Sequence, residues 1–157
     1  MPDELPLVEQ IARAVKTILE GVTIANGYAV DVVEVVRPTR FGGFKPRHGL
    51  IVLEQDDWGV AEGGSPHQVV RRTVPMQAQY FCKPSDGSAD PIGYLLNMAE
   101  ADIEKALTVD RKLGGLAQHL AIMAPETFMT PDGAFEGRSV NFEVTYRHAA
   151  NDPYTPA

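Results

Sequence analysis

The order of hydrophobic patterns predicts an α+β fold: one domain with an antiparallel β-sheet and helices packed on one face. Three observations carry this expectation. A helical period opens the chain, a series of strand-like runs follows, and a second helical period separates those runs from the last strands. Strand runs joined by turn signals pair antiparallel, which leaves the helices to collect on one face. The 157 residues fit a single domain. With 44% hydrophobic and 22% charged residues, the chain has the composition of a protein that builds its own core. Residues 1–150 are expected to form the domain and 151–157 a flexible tail, since Pro153 and Pro156 interrupt any pattern there.

The elements follow in order. From Leu7 to Val22, the residues Val8, Ile11, Val15, Ile18 and Val22 recur at steps of three and four, which places them on one helix face. Asn26-Gly27 is a stop-and-turn signal. Tyr28 to Arg37 is valine-rich and reads as a strand, and Gly49 to Glu54 as a second. Gln68 to Cys82 alternates over a long run, with Val70, Val74, Met76, Ala78, Tyr80 and Cys82 on one side. Pro75 lacks a donor, which predicts an edge position or a bulge. A second helix is expected from Asp90-Pro91, with Asp90 as cap and Pro91 in the first turn. Leu116 to Met123 and Arg138 to Arg147 read as strands, linked by a Thr130-Pro131-Asp132-Gly133 turn.

Charge and chemistry narrow the function. Fourteen basic against 21 acidic residues leave a net charge of −7, which excludes a chain-wide basic nucleic-acid binder and leaves room for a local patch. Cys82 is the single cysteine, so an internal disulfide and a Cys-rich zinc site are excluded. No apolar run approaches the length of a membrane-spanning helix, and the first residues do not read as a secretory signal. Phe41-Gly42-Gly43-Phe44 and Glu62-Gly63-Gly64-Ser65 do not precede helices, so they read as turns rather than phosphate loops. His48, His67, His119 and His148 are scattered, none at metal spacing from another. Cys82 shares the core parity of Tyr80, and Asp102, Glu104 and Asp110 read as solvated carboxylates around a helix. No cofactor, metal or catalytic constellation is expected; a small enzyme using His119 or Cys82 is the remote alternative.

One segment stands apart. Arg37, Arg40, Lys45 and Arg47 fall within 12 positions of an acidic chain, with no acidic residue between Glu34 and Glu54. Phe41 and Phe44 are interleaved with them. Either the loop is solvated with its aromatics folded back on the core, or it is a contact arm for an acidic surface or DNA. Aromatic and arginine residues are enriched at interfaces. Trp58, the single tryptophan, lies in a second Gly-rich loop and is a further interface candidate.

The C-terminal half carries a recognisable series. Ala101-Asp102-Ile103-Glu104-Lys105-Ala106-Leu107 is followed by Asp110-Arg111-Lys112-Leu113-Gly114-Gly115-Leu116, and then by Val140-Asn141-Phe142-Glu143-Val144-Thr145-Tyr146-Arg147. This order resembles the tail terminator (tail completion) proteins of long-tailed bacteriophages, over about the last third of the chain. The loops at Arg37–His48 and Asp56–Pro66 and the Pro-containing tail are departures from that pattern. The resemblance implies a virion structural protein without catalytic residues. Such a protein assembles with itself as a ring, hexameric in known cases, on the head-proximal end of the tail tube. Its implied partners are the tail tube protein, a neck or head-completion protein and DNA in the channel, with no membrane contact. A head-closure or head–tail connector protein is the alternative.

Overall fold

The computed structural model describes residues 4–38, 44–56, 69–83 and 91–157, together with the backbone of 60–62. Along the chain run α1 (Leu7–Glu20), β1 (Glu34–Val36), β2 (Leu50–Gln55), β3 (Val60–Glu62), β4 (Val69–Cys82), α2 (Ile92–Val109), β5 (His119–Ile122), β6 (Glu126–Met129), β7 (Glu136–Ala149) and β8 (Asp152–Pro156). Among the described residues the strands form one eight-stranded sheet. It is antiparallel except where β1 runs parallel to β2. The fold is α+β, as the sequence predicts.

The frame is the ribbon of β4 and β7, two 14-residue strands paired from Val69↔Ala149 to Cys82↔Glu136. Alternation sends Val74, Met76, Ala78, Tyr80 and Cys82 of β4, and Val140, Phe142, Val144 and Tyr146 of β7, to one face. Both helices cover that face. Leu7, Ile11, Val15 and Leu19 of α1 and Leu96, Ile103 and Leu107 of α2 are buried in the same cluster. Each fully buried aliphatic or aromatic side chain contributes roughly 1.5–3 kcal/mol. Arg138 ties β7 to α2 through Glu100 at 3.2 Å and Asn97 at 3.0 Å.

Among the described residues, the other face of the ribbon is polar along most of its length. The hydroxyls of Thr73 and Thr145 meet at 3.1 Å, and Ser139 donates to Asn141 at 2.9 Å. At one end it turns apolar: Leu50, Val52 and Phe81 are buried there beneath Phe44, Phe128 and Phe135.

Both flanks of the ribbon are strands interrupted by extra residues. On the β4 side, Gln55 faces Met76 and Val60 faces Thr73, so five steps on one strand span three on the other. Pro75 lies opposite that break. Its carbonyl accepts from the Asp56 N–H at 3.0 Å, so its donor-less nitrogen faces the same broken side and the β7 ladder loses nothing. This corrects the expectation of an edge strand or a bulge in β4: Pro75 sits in an interior strand, and the break belongs to its neighbour. On the β7 side, Ile122 faces Phe142 and Glu126 faces Ser139, which leaves one extra residue between β5 and β6. Asn141 fastens that bulge by donating to the Ala124 carbonyl at 2.9 Å.

Four further expectations change. The valine-rich run shrinks to three residues of β1, because Ala29 and Val30 give their N–H groups to Asp102 and Val32 gives its own to the Val22 carbonyl, so no ladder forms there. Asp102 is not solvated but buried, and it accepts the N–H groups of Ala29 and Val30 at 2.7 and 2.9 Å. Pro91 is the N-cap of α2 rather than its first residue, and Asp90 lies outside the described residues. The tail 151–157 carries β8 instead of irregular chain: Gln10 donates to the Tyr154 carbonyl at 2.9 Å and the Ala157 N–H donates to Arg147 at 3.1 Å.

Candidate functional site

The basic loop begins where β1 leaves the sheet. Arg37 there donates from Nη1 to both carboxylate oxygens of Glu9 of α1, at 2.8 and 3.0 Å. Glu9 also accepts from Arg13 at 3.0 Å. These bonds, that to Arg37 first, hold the Glu9 carboxyl below its ordinary range. Arg37 therefore pins β1 to α1. It borders a cleft of about 400 Å³ lined by Val8, Glu54 and Asp56 among others.

Beyond it, Phe44 folds back. Its ring meets Phe81 edge-on at 5.4 Å, and Phe81 meets Phe128 at 5.0 Å. Arg47 pairs with Glu34 of β1, both half-exposed. Lys45 is exposed and has no ion-pair partner among the described residues. A second cleft, of about 490 Å³, opens here with Val36, Phe44 and Leu50 as its apolar walls and Lys45 and Arg47 at its rim. Of the predicted interface residues, the structure thus brings Phe44, Lys45 and Arg47 to one cleft and takes Arg37 to another. Arg40, Phe41 and Trp58 lie outside the described residues.

Sequence reasoning missed the opposite flank. Met129 is 61% exposed at the end of β6, a strand that begins at the exposed Glu126 and leads into a turn with the exposed Asp132. The hairpin that presents them is fixed. Thr130 N–H donates to the Phe135 carbonyl at 3.0 Å, Gly133 N–H to the Thr130 carbonyl at 2.8 Å, and the Thr130 hydroxyl to Asp132 at 2.6 Å. The last bond, with the Ala134 N–H, holds Asp132 below the ordinary carboxylate range. A methionine closing a strand run before a Thr-Pro-Asp-Gly turn was the available signal, since it cannot reach the core from a hairpin tip.

Cys82 and His119 are far apart. Cys82 lies opposite Glu136 and His119 opposite Thr145, nine residues further along β7. At about 3.4 Å per residue that separation is roughly 30 Å. Cys82 is fully buried and burial pushes its thiol up, away from the reactive thiolate. His48 Nδ1 accepts the Lys83 N–H at 3.3 Å.

Several of the motif positions do structural work. Asp102 anchors the segment after α1. Asp110 ends α2 and accepts the N–H groups of Gly114 and Lys112, at 2.7 and 3.0 Å, which lowers its carboxyl below the usual range. Gly114 and Gly115 take φ of 68° and 95°, a region that favours glycine. Tyr146 is buried and Arg147 exposed, so the final pair alternates across β7. Compared with models of known protein families and with curated proteins, the chain matches none.

Proposed function

We propose that this chain is a virion structural protein of the tail terminator type. It closes with its own copies into a ring at the head-proximal end of a phage tail tube, ends tube growth and offers the surface to which the head joins. The observation that carries the reading is the motif series that resembles this family. Asp102, Asp110, Gly114 and Gly115 occupy the positions that fix the α1–β1 and α2–β5 connections. The resemblance therefore rests on residues that shape the fold.

A ring subunit works by shape, through two unlike patches that meet on neighbouring copies. A stiff ribbon with helices on one face and a separate surface at each flank suits that task. The tail tube protein is the partner below the ring and a neck or head-completion protein the partner above it.

The test is assembly of the matching tail tube protein with and without this chain. Tubes of one length, capped at one end by the labelled subunit in electron micrographs, are expected. Tubes that grow without limit in its presence contradict the reading. Headless tails separate it from the connector alternative: a terminator is on them, whereas a head-closure protein stays with the filled heads.

A further inference from the structure

We infer that neighbouring copies of this chain join by a knob and a cleft on opposite flanks of the sheet. The β6–β7 hairpin of one copy places Met129 in the cleft beside β1 of the next, with Glu126 and Asp132 against Lys45 and Arg47. This rests on the ring reading above and adds to it the surfaces that meet.

Three observations converge. First, the two features lie at opposite ends of the strand order: β1 flanks β2, and β6 flanks the far side of β7. A closed ring needs such a pair of different patches, one on each side of the subunit. Second, the shapes match in chemistry. The cleft of about 490 Å³ has apolar walls from Val36, Phe44 and Leu50. The hairpin offers a single large apolar side chain, Met129, 61% exposed. Methionine adapts its three torsions to an irregular pocket and is enriched at interface cores. Third, the charges are complementary. Copies of a chain with net charge −7 repel one another, so their contact needs locally opposite signs. Lys45 at the cleft rim has no ion-pair partner among the described residues, whereas Arg47 pairs with Glu34, which also lines the cleft; on the other flank β6 begins at the exposed Glu126 and the turn carries the exposed Asp132. The hydrogen bonds across the Thr130–Phe135 turn hold the knob in shape before contact, which reduces the ordering cost of docking.

The test uses the full chain. A Lys45→Cys/Met129→Cys variant is oxidised after assembly; the native Cys82 is fully buried and out of reach. A ladder of covalent multimers that ends at the closed ring is expected, with neither single-cysteine variant forming it. Met129→Asp and Lys45→Glu, each checked by circular dichroism for an unchanged fold, are expected to weaken self-association by at least tenfold. Glu126→Lys added to Lys45→Glu is expected to recover it. If wild type and both single variants form rings equally and no ladder appears, the knob-and-cleft contact is wrong and the ring stands, built on other surfaces. A wild type that stays monomeric at high concentration overturns both.

Discussion

Gly137 shows how closely single residues are fitted. The tip of the Phe128 ring lies over it, so a Cβ there would stand 2.0 Å from the Phe128 Cζ. Gly137→Ala is expected to cost about 1–3 kcal/mol in urea unfolding, as an overpacked site does. Adding Phe128→Ala should return part of that loss; equal losses in the single and double variants would contradict the steric account. Asp102 is the second sensitive position. Replacing it with alanine strands the N–H groups of Ala29 and Val30 and is expected to cost about 2–3 kcal/mol, with Asp102→Asn costing less. A neutral Asp102→Ala would show that water reaches those groups. At this scale the sequence was partly legible. Parity places Cys82 on the core face, but a carboxylate's partners, here 72 and 73 residues away, leave no local pattern, so Asp102 reads as solvated. Arg37 and Arg47 were likewise grouped with the loop, while each finds its own acid, on α1 and on β1.

At the scale of elements, the long alternating runs and the short apolar run of β2 are legible in the sequence, whereas β3, β6 and β8 are not. Both ribbon strands and both helices were placed within a few residues, since their periods extend over many turns or pleats. β1, β3 and β8 hold three to five residues, too few to display a period; β3 and β8 exist because the ribbon offers them an edge, and β1 because β2 does. Pro75 illustrates the same limit: its role depends on which side the neighbouring strand is broken. Pro75→Thr is therefore expected to change stability by no more than about 0.5 kcal/mol, because no ladder bond is gained or lost. A large stabilisation would mean that a donor was wanted there. For β8, Gln10→Ala removes the bonds to Leu5 and Tyr154. Hydrogen exchange of the 152–156 amides should quicken several-fold, with the β4–β7 amides unchanged; unaltered exchange would show that β8 is held by its ladder alone.

Over the whole molecule, carboxylates set the acid limit of stability. Glu9, Asp110, Asp132 and Asp152 are all held below the ordinary carboxylate range, by Arg37, the Gly114 N–H, the Thr130 hydroxyl and the Thr155 hydroxyl respectively. The unfolded chain, with carboxyl pKa values of about 4, takes up protons first as pH falls. Their contribution is then complete above about pH 5 and fades as pH falls through 4 and below. At the alkaline end, burial pushes Tyr80 up to about 12, so stability declines as pH rises beyond about 10. Urea midpoints flat from pH 7 to 3 would contradict the acid limb. The same scale holds the functional claim, that the chain acts as one segment of a closed ring. Native mass spectrometry of the purified full chain at micromolar concentration addresses it most directly. The account predicts one dominant closed oligomer, a hexamer by family resemblance, that loses its copies when Met129 becomes Asp. A chain that remains a monomer across the concentration range would contradict it.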